Sequence, residues 1–160
     1  MPRRKKVLSK RDIGVDPRFH SSLVQKFINI LMERGKKSTA RSIVYEALDL
    51  LAKKVGGDEK KAYMMFEKAL DQLKPFVEVR SRRVGGGVYQ IPTEVRPERQ
   101  LSLSFRWLIA AAHERSDETM GKRLASEIID AIDGHGNAMK KKNDVHRMAE
   151  ANRAFSHYAW

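Results

Sequence analysis

Cysteine is absent from this 160-residue chain. That excludes disulfide frameworks, thiolate nucleophiles and thiolate metal sites, and leaves a reducing compartment open. Long apolar runs are missing too. Nothing after the basic opening residues is long enough for a signal peptide or a membrane span, so a soluble intracellular protein is expected. The motifs of catalysis are also missing. There is no Gly-x-Ser-x-Gly elbow and no Walker loop, and Gly35-Lys36-Lys37-Ser38 has Ile30 where a phosphate loop needs glycine. His20, His113, His135, His146 and His157 show no His-Glu-x-x-His spacing. Asp130 with Asp133, and Asp117 with Glu118, fall on solvent faces and near helix starts, where nothing forces a perturbed pKa. Neither an enzyme nor a cofactor or metal site is expected.

Acidic residues are the scarce charge. Twenty Asp and Glu stand against 32 Lys and Arg, for a net charge of +12. Such an excess points to nucleic acid, an anionic membrane surface or acidic proteins. It is unevenly spread. Residues 1–37 carry 11 basic against 3 acidic side chains, whereas residues 97–137 carry 5 against 7. The surplus lies at the two ends and in residues 76–96, around a nearly neutral middle.

What is present reads mostly as helix. With 41% hydrophobic residues the chain can bury the core of one domain. Residues 1–17 are basic, few in apolar side chains and without period, as expected of a disordered arm that orders on a polyanion. Ser22 and Gln25 have capping-box spacing for a first helix with Leu23, Val24, Phe27, Ile28 and Leu31 inward, stopping at Gly35. A second helix, capped by Ser38 or Thr39, uses Ile43, Val44, Ala47, Leu48 and Leu51 and ends at Gly56-Gly57. A third starts near Asp58 and uses Ala62, Phe66, Ala69, Leu70 and Leu73, with Tyr63, Met64 and Met65 at the core or its edge. A fourth begins between Thr93 and Pro97, a fifth is capped by Ser116 or Asp117 and ends at Gly134, and a sixth runs from Ala138 toward Phe155. The sixth has the weakest apolar stripe, so it should dock only partly and leave a basic face for a partner.

Residues 76–92 break this pattern. Val77 and Val79 alternate with Glu78, Arg80 and Arg82, three glycines follow at 85–87, and Val88, Tyr89 and Ile91 resume the alternation. This is a β-hairpin signature. Arg80, Arg82 and Arg83 line it, and a polyanion is the partner that guanidinium groups suit. An isolated hairpin is marginal in water, so it must project from the helical body or lie against a partner. The whole is a mainly α single domain of about six helices, residues 18–160, with one protruding hairpin and a basic N-terminal arm.

Three blocks resemble a known family. They are Phe27-Ile28, Gly35-Lys36-Lys37, Ile43-Val44 and Ala47; Val84 to Pro92 followed by Glu94-Val95-Arg96-Pro97; and His146 to Phe155 with Tyr158 and Trp160. Together they resemble the seventh protein of the small ribosomal subunit, in its bacterial or organellar form, over essentially the whole chain. His113, Asn143 and Val145 depart from the residues usual there, and Ala159 stands where a basic residue is usual.

The resemblance implies a primary binder of 16S-type rRNA, in its 3′ major domain, that nucleates assembly of the subunit head. It implies a place at the subunit interface near the decoding centre, in cytoplasmic ribosomes or in an organelle matrix or stroma. The implied rRNA contacts are Arg3, Arg4, Lys5, Lys6, Lys10 and Arg11 of the arm, Lys36, Lys37, Arg80, Arg82, Arg83, Arg96 and Arg115. Met120, Lys122 and Arg123 at a helix start belong with them, as do Lys140, Lys141, Lys142, Arg147 and Arg153, which face RNA or a neighbour. The tip formed by Arg82, Arg83, Val84, Gly85, Gly86 and Gly87 would flank the exit-site tRNA. The ninth and eleventh proteins of the subunit are the implied protein neighbours, with no membrane partner. Residue chemistry alone also admits an architectural DNA-bending protein with β-arms, a peripheral membrane protein or an RNA-processing enzyme.

Overall fold

The computed structural model describes residues 12–158. Along them run α1 (Ser22–Leu31), α2 (Lys37–Lys54), α3 (Glu59–Leu73), β1 (Val77–Val84), β2 (Gly87–Glu94), α4 (Pro97–Glu114), α5 (Met120–Ile132) and α6 (Gly136–Ala151). A terminal 3-10 helix, Arg153–Tyr158, follows. The expected mainly α chain of about six helices with one hairpin is the fold observed among the described residues.

Three of the six described helices begin at a side-chain cap, two of those caps lying one to three residues from the expected one. Ser21, not Ser22, caps α1, its hydroxyl accepting from the amides of Leu23 and Val24. Gln25 is buried instead of closing a capping box, and it donates to Asn29. Helix α1 stops at Leu31, four residues before Gly35. Neither Ser38 nor Thr39 caps α2, which starts from Lys36 with no side-chain cap. Asp58 caps α3 as expected. Thr119, rather than Ser116 or Asp117, caps α5 by accepting from Lys122 N–H. Strand β2 runs to Glu94, so α4 begins only at Pro97, whose missing N–H costs nothing at a first helical position. Helix α6 opens two residues early, at Gly136.

Helix α5 is central and packs against α2, α3, α4 and α6. Val24, Phe27 and Ile28 of α1, Leu51 of α2, Phe66 and Leu73 of α3, Phe105 and Leu108 of α4, and Leu124 and Ile128 of α5 fill the core. Phe27 meets both Phe66 and Phe105 with ring centroids 5.2 Å apart, spacing at which aromatic edges and faces attract. Tyr63 and Met65 pack at the core edge, whereas Met64 is 66% exposed.

The two strands pair antiparallel from Val77 with Glu94 to Val84 with Gly87. Gly85 and Gly86 form the two-residue turn at φ +56° and +87°, the doubly positive backbone that a twisted hairpin of this kind demands. The hairpin is anchored at its base, where Ile91 and Val95 are buried and β1 and β2 pack against α6 and the terminal 3-10 helix. Its far end is open to solvent, with Val88 63% exposed.

Candidate nucleic-acid interface

The arm cations Arg3, Arg4, Lys5, Lys6, Lys10 and Arg11 lie outside the described residues. The root of that arm is firmly held. Asp16 is fully buried, accepts from Arg18 and Phe19 N–H, and receives the Tyr45 hydroxyl at 2.8 Å. Beside it Arg18 bridges Asp49 and Glu59, each at 2.6 Å, and covers the rings of Phe19 and Tyr45. Hydrogen bonds to Asp49 and then Glu59 hold this guanidinium charged well above its ordinary range. Nothing in the local pattern of residues 12–18 signals this clamp, because its partners are 29 to 41 residues away.

Lys36 and Lys37 stand at the open start of α2. Among the described residues their side chains meet no carboxylate, no acidic residue occupies the first turn, and no side chain caps the helix. The positive end of the helix dipole and two ammonium groups therefore coincide, an arrangement that attracts a phosphate. The adjoining cavity of about 260 Å³ brings Lys36, Thr39, His113 and Met120 together, with Glu33 also on its wall. The start of α5 lies at the same corner but is already occupied: Thr119 donates to Glu46 at 2.6 Å, and a Cβ on Gly121 would run into the Glu46 carboxylate. Lys122 pairs with Glu118, and Arg123 donates to the Asp117 carbonyl.

On the hairpin the arginines divide by strand position. Arg80 turns back to Glu78, which is nearly buried and also receives Arg99. Burial pushes the Glu78 carboxyl up, but the hydrogen bonds from Arg99 and Arg80 outweigh it and hold the group below the ordinary carboxylate range. Arg83, nearer the tip, is exposed opposite Val88, and Arg82 lies across from Tyr89. Arg96, at the N-cap of α4, is exposed and meets no carboxylate among the described residues.

Helix α6 splits its basic run. Lys140 and Lys141 are exposed beside Trp107 and Asn137, in a hollow that Glu114 and Asp144 also line. Lys142 turns inward and donates to the Gln72 carbonyl, and desolvation lowers its pKa. Arg147 and Arg153 sit on the rim of a cavity of about 680 Å³ between the hairpin base and α6, with loose pairs to Asp144 at 3.9 Å and Glu150 at 3.4 Å. Arg115 is committed internally. Its guanidinium binds Glu127 and Asp130 at 2.7 Å each and Asp117 at 3.3 Å, which leaves little of it to offer a phosphate.

The model of the family described as Ribosomal protein S7p/S5e matches residues 2–153. The chain belongs to this ribosomal protein family. It is also 57% identical, over all 160 residues and the full length of both proteins, to "Small ribosomal subunit protein uS7" of Colwellia psychrerythraea. A member of the S7p/S5e family is a structural, RNA-binding part of the ribosome and not an enzyme. Among the described residues no group of acidic or histidine side chains could hold a metal ion, and no helix is long and apolar enough to cross a membrane. For this S7p/S5e member, the residues that sequence reasoning missed are the carboxylates that hold the basic elements in place: Asp16, Glu46, Glu78 and Glu127. Each is defined by a partner distant in sequence or by burial, and single-residue spacing carries neither signal.

Proposed function

We propose that this ribosomal protein is a constituent of the small subunit that binds the 3′ major domain of 16S-type rRNA through several separate basic elements at once. It thereby stabilises one geometry of a multi-helix junction and nucleates assembly of the subunit head. The observation that carries this reading is the placement of Lys36, Lys37, Arg83, Arg96, Lys140 and Lys141. These exposed cations form no ion pair with a carboxylate among the described residues, although Glu33 shares the hollow of Lys36, and Glu114 and Asp144 that of Lys140 and Lys141. They stand on separate elements, at the start of α2, on β1, at the cap of α4 and on α6. Cations spread this way can span several RNA helices. Phosphate contacts would supply most of the affinity, while shape and minor-groove hydroxyls supply selectivity. Binding then favours the folded junction by its differential affinity for it. The arm residues Arg3 to Arg11 add flanking phosphate contacts. The hairpin tip, from Arg82 to Gly87, and the end of α6 flank the exit-site tRNA near the decoding centre. The ninth and eleventh proteins of the subunit are the neighbours.

The test is binding to the isolated 3′ major domain against duplex DNA of equal length, with a titration of salt. With about 6 to 10 phosphates neutralised, affinity falls by roughly 10³ to 10⁵ between about 50 and 200 mM salt, and the rRNA domain is strongly preferred. A flat salt profile, or equal affinity for both polymers, would overturn the reading. Replacing Arg82 and Arg83 by alanine separates roles for the hairpin: lost rRNA affinity makes it an rRNA anchor, and retained affinity leaves it for tRNA.

A further inference from the structure

Glu127 is the one carboxylate with no solvent-exposed surface on α5, and burying such a charge is costly unless each oxygen finds a donor. Both do. Oε1 accepts the Ala138 N–H at 2.9 Å, and Oε2 accepts from Arg115 Nη1 at 2.7 Å. Ala138 is the third residue of α6, whose own cap residue, His135, makes no side-chain cap bond. The amide that a local serine or aspartate usually satisfies is therefore served from 11 residues upstream. Arg115, in turn, is the C-cap of α4. One side chain on α5 thus ties the end of α4 to the start of α6. Gly136 completes the slot: at φ +89°, a Cβ there would stand 2.7 Å from Glu127 Oε1 and 3.2 Å from Asp130 Cβ.

We propose that Glu127 is a positioning residue that fixes where α6 leaves the body and so where Lys140 and Lys141 are presented to RNA. The other polar contacts on its first turns are made by flexible, partly exposed side chains, Asn137 on Glu114 and Lys142 on the Gln72 carbonyl, whereas Glu127 alone holds a backbone amide there from a fully buried position. Its buried residues are Ala138, Met139 and Ala149, two of them alanines with almost no side chain to interlock. Lys140 and Lys141 follow Ala138 by two and three residues, so a shift at that amide moves both ammonium groups with it. This inference rests on the rRNA reading above for its functional half, and on the geometry alone for its structural half.

Two variants keep the test independent of wholesale unfolding. Glu127→Gln keeps the shape but offers one acceptor oxygen to two donors, and Gly136→Ala leaves Glu127 intact but both crowds it and strains the backbone at φ +89°. Amide exchange is followed across residues 137–142 in each full-length variant, and affinity for the rRNA 3′ major domain is measured against salt, with and without Lys140→Ala and Lys141→Ala. In the otherwise unaltered chain, the lysine pair should reduce the salt slope by about 2. In the Glu127→Gln background, residues 137–142 should exchange at least tenfold faster, and the same lysine substitutions should change the slope by less than about half as much. Unchanged exchange in the Glu127→Gln variant would overturn the positioning role whatever Gly136→Ala does, and so would a lysine effect of full size in the Glu127→Gln background. If the lysine pair leaves the slope of the unaltered chain untouched, the assignment of α6 to RNA fails, and the exchange data still decide whether Glu127 positions the helix.

Discussion

Phe27, Phe66 and Phe105 meet ring to ring in the helical body, each only 1% exposed, whereas Tyr89, Phe155 and Tyr158 meet half in solvent at the hairpin. The same side-chain class does different work in the two places. In the body it removes large apolar area from water and holds three helices, α1, α3 and α4, in one arrangement. At the hairpin it rests one element against another, alongside polar clamps: Glu78 with Arg80 and Arg99, the Phe76 N–H on His146, and Lys142 on the Gln72 carbonyl. The body is a support, and the hairpin with α6 is an attachment whose angle is set by a few directional contacts. On the proposed reading, in which the protein grips rRNA at several points, that division lets the points be placed accurately without more core than one small domain can supply.

Substitutions should separate the two regimes. Phe27→Ala removes a ring that both Phe66 and Phe105 touch, and should lower global stability by about 3 to 5 kcal/mol in urea denaturation. A loss under about 1 kcal/mol would mean that the body is not built on this cluster. Glu78→Ala should cost less, about 1 to 3 kcal/mol, because it removes charge-assisted bonds from two half-exposed arginines. Its effect should fall on exchange of the β1 and β2 amides and leave those of α5 unchanged. The Glu78 contribution carries a pH signature as well. Its folded pKa lies below the ordinary carboxylate value, so its stabilisation is complete above that value and disappears as pH falls through the lower, folded one.

The body and the hairpin were legible in the sequence, but the clamps that set the attachment's angle were not. Leu48, Leu51, Ala69, Leu70, Leu73, Leu124 and Ile128 recur at helical spacing, and all are buried. The alternation of residues 77–84 and 87–94 with glycines between them likewise gave the hairpin and its turn. Caps were displaced because serine, threonine and aspartate crowd the same few positions at 21–22 and 116–119, and only backbone geometry selects Ser21 and Thr119. Among the basic residues, the sequence supplied charge but not direction. Lys140, Lys141 and Lys142 are equivalent on paper, yet the helix turns the third inward to Gln72. Arg115 reads as one more cation until Glu127, Asp130 and Asp117 close around it.

A smaller test bears on the hairpin's seat. Tyr89 lies 5.1 Å from the Phe155 ring and 6.3 Å from that of Tyr158. Tyr89→Ala should remove about 0.5 to 1.5 kcal/mol of contact energy. Strand amides near residues 88–90 should lose protection in exchange measurements while the urea midpoint of the body stays put. A midpoint shift as large as that of Phe27→Ala would erase the distinction between the two regions.

The smallest expected effect tests whether the seat of α6 responds to pH. His146 Nε2 accepts the Phe76 N–H at 3.2 Å, which requires the neutral ring. Burial, and then the charge of Lys142, hold its pKa below the ordinary histidine value. A base depressed in the folded state contributes stability fully above its unfolded pKa, and loses it as pH falls through the folded one. Protonation would set two N–H groups against each other at this joint. Lowering pH from about 7.5 to below the ordinary histidine value, about 6.5, should therefore weaken the Phe76 amide's protection by no more than one hydrogen bond, about 0.5 to 1.5 kcal/mol. His146→Ala should abolish that dependence. The imidazole signals of His146, followed by NMR, should titrate below the ordinary histidine value, about 6.5. If they titrate at the ordinary value, the ring is not desolvated in solution, and the joint between the α3–β1 connection and α6 is looser than the core beneath it by more than this contact explains.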